Sequence, residues 1–149
     1  MSADRKRTIN GVLVLLLVLT LVFIWGNSAL DREDSAAASG EIMELFDELF
    51  EQIGLDTEDD HWLRKTAHFM EFGLLGAELA LLFFLNQGRG LQSGCNAAFL
   101  ALLAALADES IQYLSGRSPE VRDVALDFAG ALLGIAMAAL LSRRRQNAV

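Results

Sequence analysis

Residues 9–26 read INGVLVLLLVLTLVFIWG, a stretch of 18 residues without a charge. A helix of about 20 apolar residues crosses the hydrocarbon core of a bilayer, so this stretch is long enough to be a transmembrane helix. It has no polar face at helical spacing, which argues against a surface helix of a soluble bundle. Residues 5–7 are basic, as before a signal peptide, but the length of the apolar run favours an uncleaved span.

Three further apolar runs follow, and each contains very few charges. With 53% hydrophobic residues in a chain of 149, the sequence fits one domain rather than several. We therefore predict an all-α, polytopic membrane protein that forms a single membrane domain over residues 1–149. The four predicted transmembrane helices cover residues 9–26, 66–85, 94–114 and 123–141.

The connection between the first two spans, residues 27–60, is strongly acidic. The segment 27–65 holds 12 of the 20 acidic residues of a chain whose net charge is −8. Within it, apolar residues recur at the spacing of an amphipathic helix, which we expect to lie on the outer surface; they are Ile42, Leu45, Phe46, Leu49, Phe50 and Ile53. The acidity argues against nucleic acid as a partner and against attraction to anionic lipid.

Basic residues mark the side of the membrane on which each connection lies. They occupy both ends of the chain, at residues 5–7 and 143–145, and Arg89 is the only charge in the connection 86–93. Because cytoplasmic connections are enriched in Lys and Arg, both termini and this connection are predicted to be cytoplasmic. The acidic segment and the connection 115–123 then face outside.

Polar residues interrupt the last three spans at one depth. In this topology they all fall in the outer parts of their helices, within about two turns of the same surface. Since they share faces at i, i+3 and i, i+4 spacing, we predict that they meet in an outward-facing site. The predicted ligand-binding residues are Lys65, His68, Glu71, Asp108, Glu109, Gln112, Arg117, Asp123 and Asp127, with Arg122 and His61 as weaker candidates.

Gly130 and Gly134 form a G-x-x-x-G pair in the last span, below Asp127 on the same face. Small residues let membrane helices approach closely, so this face is predicted to pack within the bundle or to form a homodimer contact. Either arrangement points Asp127 into protein. Glu78 lies deeper in the second span, and the sequence suggests no partner for it.

The spaced polar residues resemble the pattern of the VanZ-like family over about residues 62–141. The matching elements are Lys65-x-x-His68-Phe69-x-Glu71-Phe72, Asp108-Glu109-x-x-Gln112, Gly116-Arg117 and Asp123-Val124-x-x-Asp127-x-x-Gly130-x-x-x-Gly134. The resemblance implies a small multi-pass protein of the bacterial cytoplasmic membrane, in a family whose named member is associated with resistance to the lipoglycopeptide teicoplanin. It implies no particular reaction. The family usually has Asn where Asp127 stands, and the extra carboxylate calls for a compensating charge.

Three functions are consistent with these residues. The first is binding or remodelling of an envelope molecule, either a lipid-linked precursor or a lipoglycopeptide, next to membrane lipid. The second is an intramembrane hydrolase or transferase acting on a lipid head group, with His68, Glu71, Asp108 and Glu109 as catalytic residues. A divalent metal would fit this chemistry, but a single His in the cluster does not favour it. The third is a structural accessory protein whose buried ion pairs fix the helix register.

Overall fold

The computed structural model describes residues 2–29, 60–116 and 120–147, and at 60–64 and 143–147 it describes the backbone alone. The chain forms four long helices: α1 (Ala3–Ala29), α2 (Asp60–Gln87), α3 (Leu91–Leu114) and α4 (Val121–Asn147). Each is long and apolar enough to cross a membrane. The described residues contain no strand. The prediction of an all-α protein with four membrane spans is therefore confirmed, and the protein is a multi-pass membrane protein.

Two predicted features cannot be compared with this structure. The amphipathic helix expected within the acidic segment lies outside the described residues, as does Arg117. His61 belongs to α2, but its side chain also lies outside the described part.

Short turns connect the helices at both ends of the bundle. Gly88, between α2 and α3, has a φ of 82°, and Gly116, after α3, has a φ of 81°. This left-handed backbone conformation is readily adopted by glycine and rarely by other residues. The hydroxyl of Ser93 donates a hydrogen bond to the Gly88 carbonyl at 2.7 Å, which fixes the first turn.

Helices α2 and α4 make the most extensive contact in the bundle, and glycines permit it. A Cβ placed on Gly130 would overlap the carbonyl oxygen of Phe69, and one on Gly134 would overlap that of Gly73. Each step of four residues along α2 is matched by four along α4, so the two helices run in the same direction. Gly130 and Gly134 thus pack within the bundle, while a homodimer contact stays an untested prediction.

Helix α1 lies against α2 and α3 and is held in register by polar contacts. Asn10 and Asn86 exchange amide hydrogen bonds of 2.8 and 2.9 Å at one end. Near the other end, the indole of Trp25 donates to the Ala104 carbonyl at 3.4 Å. Most of the remaining surface of α1 is exposed. An apolar, exposed helix face is what contact with lipid requires.

Candidate functional site

A group of ionisable side chains from three helices meets at one end of the bundle. We call it the polar cluster, and it consists of His68 and Glu71 from α2, Asp108 and Glu109 from α3, and Asp127 from α4. The relative exposure of Asp108 is 0%, that of Asp127 is 3% and that of Glu109 is 9%. The structure therefore brings together residues that the sequence placed at one depth on separate helices. Their function stays a prediction.

His68, Asp108 and Asp127 form the most compact part of the polar cluster. Each offers one nitrogen or oxygen atom, and these three atoms all lie within 4.8 Å of one another. Nδ1 of His68 also lies 3.8 Å from Oε2 of Glu71, one helical turn further along α2. Such a set of one imidazole and several carboxylates can transfer protons or coordinate a divalent cation.

Asp108 is held in place by Gln112 one turn further along α3. The side-chain amide of Gln112 donates to Oδ2 of Asp108 at 2.6 Å, and the same nitrogen lies 3.5 Å from the hydroxyl of Ser28 in α1. The other oxygen, Oδ1, is buried and accepts no hydrogen bond from the described residues. Gln112 thus positions one carboxylate oxygen and leaves the second available.

Glu109 contacts the beginning of α4. Its Oε1 accepts a hydrogen bond of 2.5 Å from the backbone N–H of Glu120, the residue before that helix. A carboxylate at this position interacts favourably with the partial positive charge of a helix N-terminus. This contact gives Glu109 a structural role in addition to the functional one expected from the sequence.

Lys65 and Asp123 form an ion pair at the edge of the polar cluster. Nζ of Lys65 lies 2.9 Å from Oδ1 of Asp123 and 4.0 Å from Oε2 of Glu120. The side chains of Lys65 and Asp123 are 24% and 30% exposed, so the pair is partly accessible. Arg122 next to it is exposed.

A cavity of about 280 Å³, which we call the rim cavity, opens beside this ion pair. It is lined by Lys65, Thr66, Phe69, Arg122, Asp123 and Leu126. Two cationic side chains, from α2 and α4, therefore face one space at the polar end of the bundle. Lys and Arg are the residues with which proteins bind phosphate and carboxylate groups.

A second, apolar cavity of about 450 Å³ follows the crossing of α2 and α4, and we call it the apolar groove. Its lining comprises Phe69, Met70, Gly73, Leu74, Ala77, Leu81, Leu133, Gly134, Met137, Ala138 and Leu141. Phe69 lines both spaces, so the apolar groove and the rim cavity are neighbours on α2 and α4. The rim cavity has cations in its lining, and the apolar groove is lined by apolar residues alone.

Some polar partners were not found by sequence reasoning. Glu78, for which the sequence suggests no partner, is 5% exposed and accepts a 3.2 Å hydrogen bond from the hydroxyl of Thr20 in α1. Thr20 is the only polar residue between Gly11 and Trp25, and this isolated position in the sequence indicates a contact with another polar group. Ser28 and Glu120, which contact Gln112 and Glu109, carried no such signal.

Comparison with known proteins gives one family. Neither the curated proteins nor the solved structures include a significant match to the chain. The sequence model of one family, described as VanZ/LLP1, matches residues 12–142. The matched range begins within α1 and ends within α4, and it includes every residue of the polar cluster and of both cavities. The chain belongs to the VanZ/LLP1 family.

Proposed function

We propose that this VanZ-family membrane protein binds an amphiphilic molecule of the cell envelope, a lipid-linked precursor or a lipoglycopeptide, and thereby contributes to resistance against glycopeptides such as teicoplanin. One observation carries the proposal: Phe69 lines both the rim cavity and the apolar groove, so a cationic and an apolar space adjoin on α2 and α4. Adjoining spaces of this kind match a ligand with an anionic head and a hydrocarbon tail.

The rim cavity supplies the head-group contacts. Arg122 is exposed, and Lys65 lines the same cavity. An Arg and a Lys together offer several N–H donors to phosphate or carboxylate oxygens. Basic residues at this end also depart from the charge rule, which favours Lys and Arg on the cytoplasmic side. Binding an anionic ligand on the outer surface explains their position.

The apolar groove supplies the tail contacts. From Phe69 to Leu81 the helix rises by about 18 Å, at roughly 1.5 Å for each residue. This distance is more than half of a hydrocarbon core of about 30 Å. A tail seated there stays within the hydrophobic layer while the head group remains at its surface.

Hydrolysis or transfer of the head group is the second candidate function, and the contact between His68 and Glu71 favours it. Their side chains lie 3.8 Å apart beside the two buried aspartates. A His with a carboxylate next to it is a common general base. In this reaction His68 would take a proton from water as the water attacks the head-group phosphate. It would return the proton to the tail oxygen as the bond between that oxygen and phosphorus breaks and the alcohol leaves.

The structural-accessory function accounts for several contacts but not for all of them. The Lys65–Asp123 ion pair and the Glu109–Glu120 hydrogen bond join helices, as this function requires. Oδ1 of Asp108 and Oε2 of Glu71, however, are buried and accept no hydrogen bond from described residues. Buried polar atoms without partners are costly and are uncommon in purely structural positions.

Ligand binding to the purified protein in lipid nanodiscs tests the proposal. The probes are teicoplanin and a polyprenyl-pyrophosphate-linked peptidoglycan precursor, and bound ligand is measured by native mass spectrometry. Arg122→Gln removes an exposed cation from the rim cavity, and we expect it to weaken binding at least tenfold. Arg89→Gln, at the opposite end of the bundle, is the matched control and keeps wild-type affinity. Equal affinity of both variants, or no binding by the wild type, contradicts the proposal.

The same nanodiscs separate binding from catalysis. If the protein is a hydrolase or transferase, the precursor loses or exchanges its head group during incubation, and His68→Ala abolishes this turnover while retaining bound ligand. Unchanged ligand recovered from the wild type excludes the catalytic candidate for that probe. Teicoplanin susceptibility of cells with each variant, at equal membrane abundance, relates the result to resistance.

A further inference from the structure

The polar cluster holds more carboxyl groups than the described cations can balance. Glu71, Asp108 and Asp127 lie at one site within the membrane-spanning helices, and the last two are almost fully buried. Lys65 is already paired with Asp123 at the rim. Several carboxylates in a poorly solvated site repel one another and require a compensating cation or protons.

Three carboxylate oxygens of the polar cluster are buried and accept no hydrogen bond from the described residues: Oδ1 of Asp108, Oε2 of Glu71 and Oε2 of Glu109. Asp108 is 0% exposed, and while Gln112 binds its Oδ2, its Oδ1 accepts no hydrogen bond from described residues. Oε2 of Glu71 is likewise buried without a hydrogen bond from them, and it lies 3.8 Å from the His68 ring. Buried acceptors of this kind are suited to a cation.

The three closest donors have the geometry of a small cation site. The atoms of His68, Asp108 and Asp127 lie within 4.8 Å of one another. Two ligand atoms of a tetrahedral Zn²⁺ ion are about 3.3 Å apart, at roughly 2 Å for each bond. Binding of one ion therefore requires side-chain rotations that bring the three atoms closer together.

The donor set selects the class of ion. Mg²⁺ and Ca²⁺ prefer oxygen donors alone, whereas a mixture of one imidazole and two carboxylates suits Mn²⁺, Fe²⁺ or Zn²⁺. The surroundings also resemble those of known metal sites, in which ligands are oriented by neighbouring hydrogen bonds. Gln112 fills this role for Asp108, and Glu71 is placed to orient or to supplement His68.

We propose that His68, Asp108 and Asp127 bind one divalent transition-metal ion, of the class of Mn²⁺ or Zn²⁺, at the base of the head-group site. In this position the ion balances the buried carboxylates of the polar cluster. The inference goes beyond the proposed function, and ion binding is measurable without any envelope ligand.

Metal content of the purified protein tests the site directly. The protein is prepared in nanodiscs without a histidine tag, stripped with chelator, incubated with Mn²⁺ or Zn²⁺, separated from free ion and measured by elemental mass spectrometry. We expect about one ion per chain for the wild type, at the stoichiometry of a single three-ligand site. Asp108→Asn and Asp127→Asn preserve shape while removing charge, and His68→Ala removes the imidazole; each should abolish stoichiometric binding.

Glu78→Gln is the matched control. Glu78 is a buried carboxylate like Asp108 and Asp127, but it lies outside the polar cluster and accepts a hydrogen bond from Thr20. This variant should retain the ion. Thermal unfolding provides a second measurement: the ion should raise the melting temperature of the wild type and of Glu78→Gln but not of Asp108→Asn. The second readout also shows that Asp108→Asn is folded.

Two results overturn the metal site. One is a wild-type protein that retains no ion and gains no thermal stability from it. The other is equal loss of ion in Glu78→Gln and Asp108→Asn, which indicates dispersed binding to acidic residues. If the wild-type protein retains no ion but still binds precursor or teicoplanin with sensitivity to Arg122→Gln, the metal inference fails while the proposed function stands. If metal binds but neither ligand does, the proposed function fails alone.

Discussion

The carboxylate of Glu109 accepts a hydrogen bond from the backbone N–H of Glu120 at a distance of 2.5 Å, which ties the last part of α3 to the residue that precedes α4. The contact determines where α4 begins relative to the aspartate on α3. It makes Glu109 a positioning residue as well as a candidate for chemistry.

We expect Glu109→Leu to destabilise the folded protein by about 1.5–3 kcal/mol, the usual range for a hydrogen bond to a charged group. Glu109→Gln keeps an acceptor oxygen and should cost less. The measurement is unfolding in detergent micelles followed by circular dichroism. Ser110→Ala is the control, because Ser110 is exposed and its hydroxyl donates to Leu106 within the same helix. Equal stability of Glu109→Leu and the control contradicts this role.

The close approach of α2 and α4 makes a second prediction, at Gly134. A methyl group there would overlap the backbone carbonyl of Gly73, so Gly134→Ala must separate the helices. We expect a loss of about 1–3 kcal/mol in stability, the typical cost of overpacking. Gly94→Ala in α3 meets no atom within 4 Å and serves as the control. Equal free energies of unfolding for Gly134→Ala and Gly94→Ala contradict the close packing of α2 and α4.

Glu71 and Glu78 occupy the same face of α2, but we expect their replacement to affect ligand binding differently. Glu78 is buried against Thr20 of α1, far along the helix from the rim. Replacing such a group with an apolar residue of similar size is often neutral or stabilising. Glu78→Leu should therefore leave ligand binding unchanged and stability equal or higher. Glu71→Leu should abolish ligand binding at equal membrane abundance. Loss of binding in both variants assigns Glu78 to the site.

The orientation of the bundle in the membrane is a further prediction that cysteine labelling tests. In a Cys95→Ser background, Arg89→Cys lies in an exposed turn that we expect to be cytoplasmic. A membrane-impermeant maleimide should leave it unlabelled in intact cells and label it after permeabilisation. Glu120→Cys, at the polar end, should react in intact cells. The reverse pattern places the polar cluster on the cytoplasmic side.

Helix number and the meeting of the polar groups could be predicted from the sequence, because both depend on simple properties. Uncharged length identifies a span. The alternation of span directions then brings the end of α3 next to the starts of α2 and α4. Contacts within one helix can be predicted in the same way. The i, i+4 spacing of Asp108 and Gln112 predicts that they share a face, and their side chains form a 2.6 Å hydrogen bond.

Contacts between helices could not be predicted in the same way. Asp123 and Asp127 share a face of α4, yet Asp123 pairs with Lys65 at the rim while Asp127 is 3% exposed. One turn of depth, about 5.4 Å, separates an accessible ion pair from a buried carboxylate. The face of α1 that packs against the bundle could not be predicted either. A helix that is apolar all round its axis does not indicate that the side with Thr20 faces the other helices.

The backbone of Gly73 and Gly134 forms part of the wall of the apolar groove. Gly134 cannot gain a side chain to suit a new ligand, since a Cβ there overlaps the Gly73 carbonyl and separates the two helices. Evolution of ligand preference must therefore proceed through the flanking side chains, such as Met70, Leu74 and Leu133, with the spacing of the helices held constant. Selection on these positions can change which tail is accepted without altering the polar end.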